Sequence, residues 1–237
     1  MKILVTGGAG FIGSHIVEHI AQRGDDVTVL DNLSNGRMQN LSKVTNDINF
    51  VNGDVRDYKL IERLVKDVDG VFHEAALVSV PESFKMQNEY FDVNVNGTEN
   101  MLKLAKEYGF KTVFASSSSV YGNPKQIPIK ESDNRNTINP YAQTKLKSEL
   151  LAEKYSKNGV HVIGLRYFNA FGRRQSKEYA GVIKLFLERI QQNKAPIING
   201  DGSQTRDFVY VEDVVRANIL AMDSNIKHKF FNVGAGF

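Results

Sequence analysis

The chain has 237 residues, of which 41% are hydrophobic, 24% charged and 10% aromatic, fractions that exclude a disordered, collagenous or repeat-dominated protein. A net charge of +3, from 30 Lys and Arg against 27 Asp and Glu, is too mild and too evenly spread for a nucleic-acid footprint. The cysteine count of zero excludes disulfides, cysteine-ligated zinc, iron–sulfur clusters and thiol nucleophiles together, and fits a reducing cytoplasm.

Short β-branched runs alternate with helix-period segments. Ile3–Val5, Val27–Leu30, Ile48–Val51, Val71–Phe72, Thr112–Phe114 and Val160–Ile163 read as six strands. Met101, Leu102, Leu104 and Ala105 continue a helix that begins near Pro81. This alternation predicts an α/β fold of the Rossmann type, a doubly wound parallel sheet covered on both faces. Gly24, Gly70, Gly109 and Gly159 each precede a strand, where a turn wants positive φ. Turn-forming clusters become denser after about residue 166, at Gly172–Gln175 and Asn199–Ser203, around one helix at about 180–192. The expected division is a dinucleotide-binding domain at 1–166 and a partial substrate lobe at 167–237. No apolar run approaches the roughly 20 residues of a membrane span. The apolar start of the chain breaks at Thr6-Gly7-Gly8, unlike a signal peptide. A cytoplasmic protein without nucleic-acid or membrane partners is expected.

Thr6 to Gly13 follows the first strand and opens the first helix. Gly8, Gly10 and Gly13 have G-x-G-x-x-G spacing, and Gly7, Gly10 and Gly13 recur every three residues. Glycines there let backbone approach a pyrophosphate, which sits at the positive end of the helix. Asp31 ends the second strand eighteen residues after Gly13, where a carboxylate binds an adenosine ribose and repels a 2′-phosphate. The reading is NAD ahead of NADP, with Arg37 the one nearby residue that opposes it. Asp54 closes the third strand and is read as an adenine-side group or as a helix N-cap. Ala75 and Ala76 are small enough to let backbone pass a ligand. The first helix also carries His15-Ile16-Val17-Glu18-His19, an H-x-x-E-H pattern of zinc hydrolases. No third-ligand motif follows, and its polar residues are expected to face water, so no metal is expected.

Tyr141 and Lys145 lie four apart at the start of a helix, so phenol and ammonium share a face. A neighbouring cation favours the phenolate and makes the tyrosine a tunable general acid/base for an alcohol. Ser116 to Ser119 stand at the end of the fifth strand, where open α/β sheets bind ligands.

Taken together, Thr6–Gly13, Asp31, His73-Glu74-Ala75-Ala76, Asn94-Val95-Asn96-Gly97-Thr98, Ser117, Tyr141/Lys145, Arg166-Tyr167-Phe168-Asn169 and Gly202–Phe208 resemble the extended short-chain dehydrogenase/reductases. Within these the sequence is similar to the NAD-dependent epimerase/dehydratase family, above all its UDP-glucose and UDP-N-acetylglucosamine 4-epimerases. The resemblance implies a UDP-sugar substrate, an NAD cofactor and a homodimer. It implies catalysis by Ser117, Tyr141 and Lys145. Cofactor contacts would come from Gly7, Gly10, Phe11, Ile12, Gly13, Asp31, Asn32, Asp54, Val55, Ala75, Ala76, Asn94, Ser116, Tyr141, Lys145 and Tyr167. Ser79, Ser117, Asn169, Val182 and the diphosphate-binding Arg206 would contact substrate. Ser118 and Ser119 stand where dehydratases carry Asp-Glu, which argues against water elimination. Uronate epimerases, decarboxylases, dehydratases and a non-catalytic NAD-binding protein on this fold remain alternatives, with a zinc hydrolase through His15, Glu18 and His19 a distant one. Family members continue past Phe237, so the sequence is expected to be C-terminally truncated.

Overall fold

The computed structural model describes residues 1–176, 181–198 and 200–236; Ala180, Asn199 and Phe237, which enter the expected helix, turn cluster and chain end, lie outside these. The six expected strands are present as β1 (Lys2–Thr6), β2 (Asp26–Asp31), β3 (Ile48–Asn52), β4 (Gly70–His73), β5 (Lys111–Ser117) and β6 (Val162–Tyr167). The sixth starts at Val162 rather than Val160 and runs on through Tyr167. After it come β7 (Asn169–Phe171) and β8 (Phe208–Tyr210), which pair as a separate parallel ribbon, and β9 (His228–Val233).

β9 was not expected as a strand, yet it completes a seven-stranded parallel sheet of order β3-β2-β1-β4-β5-β6-β9. Its sequence, His-Lys-Phe-Phe-Asn-Val, lacks the β-branched run that marks the others. What holds it is packing: the Phe230 ring stands perpendicular to Phe114 at 6.2 Å, and Phe231 packs on the opposite face of the sheet. The chain thus returns to the first sheet after residue 167, so the division at 166/167 follows chain order rather than space.

Side chains alternate along each strand with period two. Ile3, Val5, Val27, Val29, Phe72, Val113, Ile163 and Leu165 enter one buried cluster, with α1 (Phe11–Gln22) and the later helix Val211–Asp223. Leu4, Leu30, Val71, Phe114 and Val162 enter the other, under α2 (Tyr58–Val65) and the helices of residues 97–108 and 140–156. The strand order reverses between β1 and β4, which opens a crevice at their carboxyl ends where such sheets bind ligands.

The helix expected from Pro81 to Ala105 is instead broken into α3 (Val80–Lys85), α4 (Gln87–Phe91), a π turn (Asp92–Asn96) and α5 (Gly97–Tyr108). Met86, at φ −122° and ψ 42°, leaves the helical region and interrupts the first two. The remaining helices are α6 (Pro140–Ser156), α7 (Val182–Gln191) and α8 (Val211–Asp223). α6 starts where Asn139 Oδ1 accepts from Ala142 N at 2.8 Å and Pro140 occupies the first turn.

Gly24, Gly109 and Gly159 have the positive φ expected of them, but Gly70 lies inside β4. Its missing side chain makes room for Met222, whose Sδ lies 2.6 Å from where a Cβ would stand. Gly164 serves β6 in the same way: a Cβ there would sit 2.5 Å from the Phe230 ring and 2.9 Å from Phe114. Neither ring lies at the end of a flexible chain, so Gly164→Ala is expected to cost about 1–3 kcal/mol by overpacking. Thermal unfolding followed by circular dichroism checks this; an unchanged Tm would show that β9 gives way without cost.

Candidate active site

The phosphate loop is built by steric exclusion. A Cβ at Gly7 (φ +68°) would lie 2.6 Å from Ala75 N, and one at Gly13 would lie 2.3 Å from Gly7 O. Loop, helix and the strand end after β4 therefore touch backbone to backbone. Gly10 is the N-cap of α1 and supplies no side chain to the first-turn N–H groups, so these and the helix dipole suit an anion. Asp31, 7% exposed, accepts from Ala9 N at 2.9 Å and Leu33 N at 2.8 Å. Burial raises its pKa despite those two bonds. The loop and the fixed carboxylate fit a dinucleotide. Phe11 and Ile12 are half-buried at the helix start.

Asp54 is not the helix N-cap, because Asp57 fills that role toward Leu60 N. Asp54 instead takes a bidentate pair from Arg56 and a 2.9 Å bond from Asn32 Nδ2, and Arg56 holds its pKa down to about 2. Val55 beside it is buried and meets Gly97.

Ser117, Tyr141 and Lys145 come together at the carboxyl end of β5. The Ser117 hydroxyl stands beside the Tyr141 phenol and accepts from Ser119 N at 3.2 Å. Lys145 is 5% exposed, donates to Ala115 O at 2.8 Å and stands 5.9 Å from the Tyr141 ring centroid. The expected depression of the phenol by the lysine is not found in the chain alone. Burial raises the Tyr141 pKa, with only the neighbouring Ser117 hydroxyl opposing it. The physical reason is that burial of the phenol outweighs its neighbours, and burial also brings the Lys145 pKa down to about 8. The hydroxyl of Ser116 turns inward to Glu149 Oε1 at 2.6 Å, and the buried Ser119 Oγ has no partner.

Glu149, Glu74 and His73, around this centre, had no role assigned by the motifs. Glu149, fully buried one turn after Lys145, receives both arms of Arg166 at 2.8 Å as well as Arg135 at 2.9 Å. Its i+4 spacing from Lys145 on the same helix face was the available signal. Glu74, partly buried after β4, bonds Tyr167 Oη at 3.0 Å. Tyr167 is itself pinned by Asn218 Nδ2 at 2.8 Å, and burial raises its pKa well above the ordinary value. Burial raises the Glu74 pKa to about 7.

His73 lies in a chain of bonds with fixed direction. Thr98 Oγ1 donates to Asn94 O at 2.6 Å, so His73 Nε2 donates to Thr98. His73 Nδ1 then accepts from Thr6 Oγ1 at 2.8 Å, while Thr6 accepts from Ala75 N. Asn94 points its amide at Leu77 O and Thr144 and accepts from Leu77 N, holding the segment after β4 rather than offering free polar atoms. The π turn exposes its carbonyl to a second donor, Ser148 Oγ.

The substrate-lobe residues are less gathered. Ser79 caps α3 through Glu82 N, and Asn169 Nδ2 is bonded to Asp207 O at 2.8 Å. Val182 and Arg206 are exposed, and Arg206 donates to Thr205 O. The H-x-x-E-H residues diverge. His15 is buried, against expectation, between Arg173 O and Glu212; Glu18 pairs with Lys43 and Arg174; His19 is exposed. Among the described residues no cluster could hold a metal.

The family profile described as "NAD dependent epimerase/dehydratase family" matches residues 3–234. A UDP-N-acetylglucosamine 4-epimerase of Methanobrevibacter ruminantium, solved with UDP-N-acetylmuramic acid, superposes with a TM-score of 0.95 and 40% identity over 100% of this chain and 77% of its own. A Thermotoga maritima UDP-glucose 4-epimerase, solved with UDP-glucose, gives 0.94 and 38% over 100% and 78%. A UDP-N-acetyl-alpha-D-glucosaminuronate decarboxylase of Bacillus cytotoxicus is 37% identical over 99% of this chain and 75% of its own.

Burial, then the Lys145 charge, brings the His73 pKa down to about 3. Between that value and 6.5 the unfolded chain binds a proton that the folded chain does not, so this residue makes stability rise with pH. Glu74 acts oppositely between 4.5 and about 7, which flattens the net curve. His73→Asn removes only the first effect. Its stability loss relative to the parent is expected to shrink by on the order of 2 kcal/mol from pH 7.5 to pH 5. Urea unfolding at the two pH values checks this, and an unchanged difference would mean His73 is charged in the fold.

Proposed function

The chain belongs to the NAD dependent epimerase/dehydratase family, and from that premise we propose that it epimerises a UDP-hexose at C4′ with bound NAD. The hexose is glucose/galactose or their N-acetyl forms. The observation that carries the reading is the Tyr141 phenol beside the Ser117 hydroxyl, one helical turn before the buried ammonium of Lys145, which stands 5.9 Å from the Tyr141 ring centroid.

The residues suited to the cofactor are Gly7, Gly10, Phe11, Ile12 and Gly13 at the pyrophosphate, Asp31 and Asn32 at the adenosine ribose, and Asp54 and Val55 beside the adenine. Ala75, Ala76, Asn94, Ser116, Tyr141, Lys145 and Tyr167 would hold the nicotinamide half. When bound, NAD would supply the redox chemistry, as acceptor and donor of the C4′ hydride, together with a positive charge. Tyr141 Oη takes the proton of the 4′-hydroxyl and gives one back when the hydroxyl re-forms. Ser117 Oγ orients that hydroxyl against the phenol. Lys145 Nζ, positioned by Ala115 O, supplies the charge that favours the phenolate as the site becomes drier. The 4-keto sugar turns about its diphosphate, in a lobe where Ser79, Asn169, Val182 and Arg206 contact the nucleotide-sugar. Arg206 offers the permanent, bidentate charge that suits a diphosphate.

Ser118 and Ser119 leave the strand end without a carboxylate, which weighs against water elimination. The resemblance to a decarboxylase keeps a uronate substrate as the second reading. A homodimer is supported by the apolar Phe84, Phe91 and Leu150, exposed on the mutually packed α3, α4 and α6. A cytoplasmic setting is supported by the lack of cysteine, and no described helix is long and apolar enough to cross a membrane.

Incubation with UDP-glucose, UDP-N-acetylglucosamine and UDP-glucuronate, followed by separation of products, tests the reading. One of the first two is expected to yield its 4′-epimer. Tyr141→Phe is expected to keep NAD while losing about 10²–10⁴-fold in turnover. Carbon dioxide release from the uronate, or full activity in the variant, would overturn it.

A further inference from the structure

Glu74 is an acidic side chain at the edge of the reaction centre to which the mechanism gives no task. Its place is set from three directions. Its backbone N donates to Thr6 O at 3.1 Å, and its carbonyl carbon would lie 2.9 Å from a Cβ at Gly7, so it cannot shift without the phosphate loop. Its carboxylate accepts from Tyr167 Oη at 3.0 Å, and that phenol is fixed by Asn218 of α8. In the sheet, His73 pairs in register with Phe114, which puts Glu74 level with Ala115, and the carbonyl of Ala115 seats the Lys145 ammonium at 2.8 Å.

Lys145 arrives from the α6 face of the sheet, and Tyr167 lies in the cluster on the opposite face. The cation and the carboxylate thus flank the sheet's carboxyl edge at the level of Ala115, with no ion pair or hydrogen bond between them. The other groups facing them are His73 on β4, which is neutral, Tyr141 on α6 and Tyr167 on β6, both protonated, and the uncharged Asn218 and Thr6. Glu74 is the one anion among them.

We propose that Glu74 is a positioning residue for the reaction, the counter-charge that keeps Lys145 an ammonium beside Tyr141 and that is itself aimed by the Tyr167–Asn218 pair. This rests on the reading of Tyr141 and Lys145 given above. The electrostatics agree in both directions: Glu74 favours the charged form of Lys145, and Lys145 favours the charged form of Glu74. Burial works against both charges, so each titrates nearer neutrality than it would in water, and losing one anion matters more than it would on the surface.

The test is Glu74→Gln, which keeps an acceptor for Tyr167 and removes the charge. The protein is labelled at lysine Cε, and the Lys145 resonance is assigned by its loss in Lys145→Arg. Its titration midpoint by NMR is expected to fall from about 8 by about one pH unit or more in the variant. Glu74→Asp is expected to recover part of the fall. In turnover, the alkaline limb of kcat/KM is expected to move to lower pH by the same amount. Glu74→Met repeats the NMR measurement if the amide variant does not fold. An unmoved Lys145 midpoint in a folded, charge-free variant would overturn the proposal. The NMR measurement needs no turnover, so a chain inactive on every UDP-sugar would sink the functional reading and leave the Glu74–Lys145 coupling to be judged alone.

Discussion

The carboxylate of Glu149 bonds Ser116 on β5, both arms of Arg166 on β6, and Arg135 on the segment that leads into α6. One fully buried anion thereby ties a helix to two neighbouring strands and to its own approach. The register Ser116↔Arg166 puts the two strand partners side by side. α6 can then occupy a single position, and Tyr141 and Lys145 follow from it. Removing one partner of such a pair costs about 3–5 kcal/mol, because the other charge stays buried and unpaired. That asymmetry suits a role in fixing position more than one in adding stability.

Lys145 and Glu74 pay for this arrangement with their charges. Both are drawn toward neutrality by burial, while each still favours the charge of the other. Tyr141 remains a phenol, with Ser117 alone easing its proton. The chain by itself therefore holds its proton on the tyrosine and keeps a lysine and a glutamate balanced near neutral pH. A ligand that brings positive charge into this dry edge shifts the balance toward the phenolate without any backbone movement.

The backbone of the site was legible in sequence because it depends on local constraints. Gly7, Gly10 and Gly13 were readable since any side chain there collides with backbone, and Asp31 since it ends a β-branched run. Tyr141 and Lys145 were readable from helical spacing behind the Asn139-Pro140 start. What was missed depends on contacts distant in sequence. β9 is held by Phe230 against Phe114, a pairing no local pattern announces. The break at Met86 and the π turn serve Asn94, whose carbonyl takes donors from both α5 and α6. Gly70 was read as a turn residue because its real reason, the Met222 side chain, arrives from the far end of the chain. Glu149 and Glu74 were hidden for the same reason: their partners lie on other elements.

The two halves of the site differ in how firmly they are built. Around Ser117, Tyr141 and Lys145 almost every polar atom has a partner inside the fold, and the supporting residues are buried. α7, by contrast, has no buried residue and shows Val182, Leu185, Leu187 and Ile190 at its surface. Proton and charge handling need atoms fixed to fractions of an ångström, and a packed sheet edge supplies that. Recognition of one sugar over another needs shape at the outer wall, which a thinly packed lobe can alter without disturbing the chemistry. Chains of this family named as epimerases and as a decarboxylase are accordingly similar to this one at nearly equal identity. Asn169, Val182 and Arg206 are exposed in that thinly packed part of the chain, where a substitution disturbs the packed edge least.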